Sequence, residues 1–137
     1  MFTSSWYAPR CPDHQIIGIS RGVPRRMAAG YRLYRALAPG EWFKTASTEE
    51  YIRRYVAEVL ALLDPAEVWA DLHHLAGGKV PVLVCYEQIG SCAWCHRAIV
   101  SAWFAETLGA EVGEYGHIDL GTGRSHPMLP NELRPHF

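Results

Sequence analysis

The sequence predicts an α/β fold: a single compact domain with a small, mainly parallel sheet flanked by helices. The apolar run at residues 80–86 is typical of a strand buried on both faces. Two helical segments with their own N-cap signals precede it, and a helix and a short strand follow it. This alternation of strands and helices is the pattern of a parallel sheet. With 137 residues, 49% of them hydrophobic, we expect one domain over 1–115. The irregular tail over 116–137 is expected to pack loosely or against a partner.

The first two strands are predicted at residues 2–7 and 15–20. The second contains Ile16, Ile17 and Ile19, whose β-branched side chains favour strands. Residues 21–45 are predicted to be irregular, because glycine and proline punctuate them and aromatic side chains alternate with arginines. Long loops inside a compact domain are usually functional, so this segment is a candidate contributor to a site.

Two helices in series are predicted next. Ser47 can cap the first helix, with Glu50 three residues on, and we expect this helix to end at Asp64. Asp64 can then cap a second helix that has Pro65 at its first position and ends at the glycines 77–78.

The last three elements form a strand–helix–strand unit. The strand at 80–86 is predicted to be central, and Ser91 can cap a helix that runs to Leu108 and stops at Gly109. A short strand at 111–115 completes the unit. Parallel α/β sheets bind ligands at the carboxyl ends of their strands, which draws attention to the loop after Tyr86.

Composition narrows the class of protein. The apolar runs are too short to span a membrane and the N-terminus has no signal pattern, so we expect a cytoplasmic protein with no membrane partner. The net charge is -1, but residues 10–54 carry most of the basic side chains and residues 55–137 most of the acidic ones. Such a bias suits an anionic partner, although solvated arginines also produce it.

The richest chemistry lies at residues 85–97, where thiols, a carboxylate, an imidazole and a guanidinium surround one strand-to-helix turn. A helix N-terminus favours anions and lowers thiol pKa values. A zinc or thiol site is one alternative, with ligands drawn from Cys85, Cys92, Cys95 and His96. The same cysteines can also be small core residues. Residues 92–96 formally match a haem-attachment pattern, but the missing export signal disfavours it.

Six segments in this order resemble a bacterial protein family, the domain of unknown function family 488 (DUF488). They are MFTSS at 1–5, ISRGVPR at 19–25, LAP at 37–39, YIRRY at 51–55, VCYE at 84–87 and WCHR at 94–97. The resemblance runs from the N-terminus to about Tyr115 and implies an α/β fold without an established activity.

Carried over by position, the resemblance highlights Arg21, Gly22, Glu87, and the run of Cys95, His96 and Arg97. The more distant YeaO-like branch is similar around residues 21–22 and at residue 96 but has Asn in place of Cys95. Cys92 is an addition to the family pattern. The resemblance therefore favours His96 and Arg21 over thiol chemistry.

Our leading hypothesis is a pocket for a small anionic ligand, nucleotide-like or phosphate-like, at the carboxyl ends of the strands. Glu87 and His96 are the candidate catalytic acid and base, since their ordinary pKa values flank neutrality, and hydrolysis or group transfer is the reaction class. Whether the chain is an enzyme is left open, and no cofactor and no metal are predicted for this pocket. The ligand-binding candidates are Arg21, Gly22, Arg25, Cys95 and Arg97.

The alternative hypothesis is a non-catalytic module that binds nucleic acid or a protein through residues 21–44. Interleaved arginines and aromatic rings suit stacking on single-stranded bases. A net charge near zero makes nucleic acid the weaker candidate partner. The sequence leaves the oligomeric state open.

Overall fold

The computed structural model describes residues 1–89, 93–117 and 123–134. These described residues form a five-stranded, all-parallel sheet in the order β3-β2-β4-β1-β5, together with three α-helices. The strands are β1 (Phe2–Ser5), β2 (His14–Gly18), β3 (Arg32–Leu33), β4 (Val80–Cys85) and β5 (Gly113–Glu114). The helices are α1 (Thr48–Glu58), α2 (Pro65–Ala76) and α3 (His96–Leu108). The predicted α/β class and parallel sheet are confirmed.

The strand predicted to be central is β4, which lies between β1 and β2. Its side chains alternate between two cores, as the pleat requires. Leu83 packs in the larger core with residues of the helices, whereas Val82 and Val84 pack with Trp6 on the opposite face. A Cβ at Gly18 would overlap the Trp6 ring, so glycine in β2 makes room for this indole.

The predicted N-caps of the first two helices are confirmed. The Ser47 side chain accepts a hydrogen bond from the Glu50 amide at 3.2 Å, and the Asp64 carboxylate accepts from the Ala66 amide at 2.9 Å. Gly77 ends α2 in a left-handed conformation, with φ of 59°, which suits glycine. These local signals set where α1 and α2 begin and where α2 ends.

Two helix boundaries differ from the prediction. Helix α1 ends at Glu58, and a 3₁₀ turn at Leu60–Leu62 carries the chain to Asp64. Helix α3 begins at His96 after the extended residue Cys95, whereas the expected cap, Ser91, lies outside the described residues. Cys95 stays extended while its amide donates to the carbonyl of Met128 at 3.0 Å. A contact with the distant tail therefore accompanies the start of this helix.

The segment at 21–45, expected to be irregular, holds β3 and two 3₁₀ turns, Arg35–Leu37 and Glu41–Lys44. Its aromatic rings pack inward. Tyr31 meets Trp6 edge to face at 5.4 Å, and Trp42 meets Tyr51 at 4.9 Å.

The tail was expected to be loosely packed or to meet a partner, and residues 123–134 correct this. Met128 and Leu129 are buried in a cluster with Cys85 at the end of β4, Cys95, and two alanines of α3, Ala98 and Ala102. His126 is fully buried. This part of the tail is a component of the domain core.

Arg97 is the largest fully buried side chain in the described part of the chain. Its Nε and Nη2 groups donate to the two carboxylate oxygens of Glu114 at 2.9 and 2.7 Å. Its Nη1 group donates to the Glu87 carbonyl at 2.7 Å and contacts the sulfur of Cys85 at 3.3 Å. This side chain therefore joins α3 to β5 and to the end of β4.

Thr3 and His126 complete the surroundings of Glu114. The Nδ1 atom of His126 accepts from the Met128 amide at 3.0 Å, so the ring proton lies on Nε2. That proton is shared between the Thr3 hydroxyl at 2.7 Å and an oxygen of Glu114 at 3.5 Å, and Thr3 in turn donates to Glu114 at 2.8 Å. The buried carboxylate thus links β1, β5, α3 and the tail.

We predict that Glu114→Gln lowers the free energy of unfolding by about 3–5 kcal/mol, because it leaves the buried guanidinium of Arg97 without its charged partner. The matched control is Glu106→Gln, which removes an ion pair of Glu106 and Arg124 with the same 2.7 Å separation on the surface. That change should cost less than about 1 kcal/mol. Urea denaturation measures both, and equal losses would contradict the prediction.

The same network predicts a loss of stability in acid. Burial by itself would raise the pKa of Glu114, but hydrogen bonds from His126, Arg97 and Thr3 and the charge of Arg97 outweigh it and lower the pKa to about 2. A lowered folded-state pKa stabilises the fold above the ordinary value of 4.5 and loses that contribution as the pH falls toward 2. The difference in unfolding free energy between wild type and Glu114→Gln should therefore narrow over this interval. A difference independent of pH would contradict this.

Candidate functional site

A cleft of about 610 Å³ lies at the carboxyl ends of β2 and β4. Ser20, Arg21 and Gly22 follow β2 into the cleft, and Tyr86 and Glu87 follow β4. Adjacent parallel strands that end at one edge of a sheet create such a crevice, the usual ligand position in α/β folds. The volume falls within the range of small-molecule sites.

Two helices begin at the cleft. Thr48, the first residue of α1, lines it, and so do Cys95 and His96, the N-cap and first residue of α3. Unpaired amides at a helix N-terminus carry partial positive charge and favour an anion. The acidic residues Glu49 and Glu50 in the first turn of α1 offset part of that charge.

Aromatic side chains form one wall of the cleft. Tyr51 meets Trp94 edge to face, with ring centroids 4.6 Å apart. The indole N–H of Trp94 donates to the Thr48 hydroxyl at 3.3 Å, which holds this wall against the start of α1. Phe43 adds a third ring. The wall is apolar and can pack against a flat organic group.

Two cations stand at the rim. Arg21 donates to the Pro39 carbonyl at 3.0 Å, and its guanidinium lies 5.8 Å from the centre of the Phe43 ring. The Lys44 ammonium lies 5.6 Å from the centre of the same ring. Both side chains are exposed and remain available to an anion in the cleft. Arg21 is also oriented before any ligand binds.

His96 is buried at the bottom of the cleft. Its Nε2 group lies 2.9 Å from the Ile19 carbonyl, which can only accept, so Nε2 carries the proton and Nδ1 is the free lone pair. Burial lowers the pKa of His96 to about 4, against the raising effect of the Ile19 hydrogen bond and with a further lowering by the charge of Arg97. The imidazole is therefore neutral at pH 7, which differs from the ordinary pKa assumed from the sequence.

Glu87 is half-buried and lines the same cleft. Burial and then the charge of Glu87 raise the pKa of the Tyr51 hydroxyl above its usual value. Tyr51 therefore stays protonated, and Glu87 is the acidic residue among the described residues of the cleft lining.

The sulfurs of Cys85 and Cys95 are joined as a disulfide at the bottom of the cleft. Cys95 also contacts Nδ1 of His96 at 3.8 Å. Cys11 is a free thiol outside this lining, and Cys92, part of the predicted zinc or thiol site, lies outside the described residues.

Five of the seven predicted site residues line one cleft: Arg21, Gly22, Glu87, Cys95 and His96. Arg25 is exposed and is not part of the lining. Arg97 is fully buried and directs its guanidinium at Glu114, so it positions the start of α3 instead of facing the cleft.

Several lining residues were missed as site residues. Thr48 and Tyr51 belong to α1, Lys44 ends the 3₁₀ turn before it, and Trp94 lies just before α3. Lys44 belongs to the basic segment noticed in the sequence, and Tyr51 and Trp94 stand in segments that carry the family resemblance. Their convergence depends on how α1 packs against α3, which no local pattern encodes.

No family model, no curated protein and no solved structure matches this chain. The resemblance to family 488 therefore stays a prediction.

We predict that the His96 ring is neutral at pH 7 with its proton on Nε2 in the metal-free protein, because the Ile19 carbonyl needs a donor and burial disfavours the charged ring. Long-range ¹H–¹⁵N spectra of ¹⁵N-histidine-labelled protein measure the two ring nitrogens separately. His74, which is exposed at the end of α2, provides a histidine for comparison in the same spectrum. A proton on Nδ1, or on both nitrogens, would contradict the prediction.

Proposed function

We propose that the chain binds a small anionic ligand, a phosphate ester of nucleotide-like size, in the cleft at the carboxyl ends of β2 and β4. The observation that carries the proposal is the convergence of two helix N-termini and two cations, Arg21 and Lys44, beside an aromatic wall. Amides and cations suit a phosphate, and the wall suits a planar base. We also propose, on the six segments, that the chain belongs to family 488.

The reaction class proposed for this cleft is hydrolysis or group transfer, with Glu87 as the acid–base group. A half-buried carboxylate beside a phosphate site can accept a proton from water or an acceptor hydroxyl. His96, neutral at pH 7, has no proton to donate from Nδ1 and is a weak base because of its low pKa. Glu87 is therefore the better first choice for mutation when an activity is tested.

The alternative, stacking of single-stranded nucleic acid on residues 21–44, has less support. Tyr31 and Trp42 are engaged with Trp6 and Tyr51, so their rings serve the fold. Phe43 lines the cleft beside the two cations and is suited to a small ligand. We therefore favour the small ligand over the nucleic acid.

We predict that Arg21→Ala weakens the binding of adenosine 5′-monophosphate or inorganic phosphate by about 10- to 100-fold, the effect of losing one charge-assisted hydrogen bond. The matched control is Arg25→Ala, which removes an exposed arginine of the same segment that is outside the lining. It should leave the dissociation constant within about twofold. Isothermal titration calorimetry measures both.

A second comparison separates the contribution of the phosphate to binding from that of the adenine base. Adenosine without phosphate should bind more weakly than the monophosphate, because it lacks the group that the cations and amides hold. Equal losses for the two arginine variants, or no binding of any of these probes to wild type, would contradict the proposed function.

A further inference from the structure

We propose that Cys85, Cys95 and His96 form a Zn²⁺ site when the disulfide is reduced, with a fourth coordination position open to the cleft. The inference rests on the two sulfurs and the imidazole at the bottom of the cleft. It does not depend on the anionic ligand proposed above.

The three ligand atoms already form a compact set. The two sulfurs and a ring nitrogen of His96 lie within 4.8 Å of one another, and all three residues are buried. Tetrahedral zinc with two sulfurs and one nitrogen places these atoms roughly 3.5–4 Å apart. The Cα atoms of Cys85 and Cys95 are 7.5 Å apart, above the range of about 4.4–6.8 Å of most disulfides. The backbone thus leaves room for an ion between two reduced sulfurs.

The orientation of His96 favours a metal. Histidine ligands usually donate their second ring N–H to a carbonyl or carboxylate, and here Nε2 donates to the Ile19 carbonyl. The remaining lone pair on Nδ1 faces the Cys95 sulfur at 3.8 Å. A disulfide sulfur has no hydrogen to donate, so in the oxidised protein this contact satisfies neither atom. A metal ion between them would use the buried lone pair.

Each cysteine has a neighbour that stabilises its thiolate. The guanidinium of Arg97 contacts the Cys85 sulfur at 3.3 Å. Cys95 is the N-cap residue of α3, whose amides carry partial positive charge. Zinc binds thiolates, so both effects lower the cost of preparing the ligands.

A Cys₂His set leaves one position of a tetrahedral ion free. Sites with three protein ligands and an open position are the catalytic type of zinc site, in which bound water becomes acidic. The three ligands line the same cleft as Glu87, so water on the ion would share that space with a carboxylate able to accept its proton. The class of ligand for the fourth position is water or an oxygen anion.

Zinc binding is coupled to the redox state of Cys85 and Cys95, because only the reduced thiols can bind the ion. A dithiol reductant transfers two electrons and two protons to the Cys85–Cys95 disulfide and becomes a disulfide itself. Zn²⁺ then binds the two thiols and the neutral imidazole, and the two thiol protons are released to solvent. Oxidation by a disulfide reverses both steps and expels the ion.

The test titrates the full chain, reduced with a phosphine and freed of metal, with Co²⁺ and then with Zn²⁺. We expect one Co²⁺ per chain with thiolate-to-cobalt charge-transfer absorption, displacement by Zn²⁺, and one zinc by native mass spectrometry. The same protein oxidised with diamide should bind neither ion at this site.

Variants identify the ligands. Cys95→Ser should weaken Zn²⁺ binding by more than about 100-fold, more than the loss of an outer-shell partner costs. Cys11→Ser, which removes the free thiol outside the cleft, is the matched control and should bind Zn²⁺ as wild type does. Circular dichroism shows whether each variant is folded. If Cys95→Ser does not fold, the comparison of Zn²⁺ binding by oxidised and reduced wild type tests the proposal by itself.

Three results would overturn the proposal: no Zn²⁺ on the reduced wild type, equal binding by the oxidised and reduced forms, or wild-type affinity in a folded Cys95→Ser variant. None of them bears on the binding of adenosine 5′-monophosphate, so the two proposals fail separately.

Discussion

The buried ion pair of Arg97 and Glu114 is the interaction on which the cleft depends. A fully buried guanidinium is costly to desolvate. The fold tolerates this one because the guanidinium contacts four hydrogen-bond acceptors: both oxygens of Glu114, the Glu87 carbonyl and the Cys85 sulfur. Two of these acceptors lie at the end of β4 and two on β5. Arg97 is the second residue of α3, so the same side chain fixes where this helix begins and holds its first amides at the cleft.

Much of the fold could be predicted from the sequence, because local signals encode it. The central strand β4 follows from its continuous apolar run, and the starts of α1 and α2 follow from Ser47 and Asp64. The boundary of α3 could not be predicted in this way. The sequence predicts a capping residue before the apolar stripe, whereas the chain stays extended to Cys95. The amide of Cys95 donates to the carbonyl of Met128, a residue more than thirty positions later.

The candidate site could be predicted in part, because local sequence signals mark where the strands end. Residues directly after β2 and β4, such as Arg21 and Glu87, could be expected to meet, since parallel strands end at one edge. The role of Arg97 could not, because its partner Glu114 lies on a two-residue strand and the supporting His126 lies in a tail without periodicity. A charged residue within an apolar segment, such as Arg97, indicates a buried ion pair. It does not indicate which residue is the other member of that pair.

Backbone NMR tests most directly whether the cleft binds an anion, as we propose. Titration of the ¹⁵N-labelled protein with adenosine 5′-monophosphate should shift the amides of Thr48 and Glu49 at the start of α1 and of His96 and Arg97 at the start of α3. The resonances of the amides around the exposed Arg25 should not shift. Shifts confined to residues 24–32, or no shifts at saturating ligand, would contradict the account.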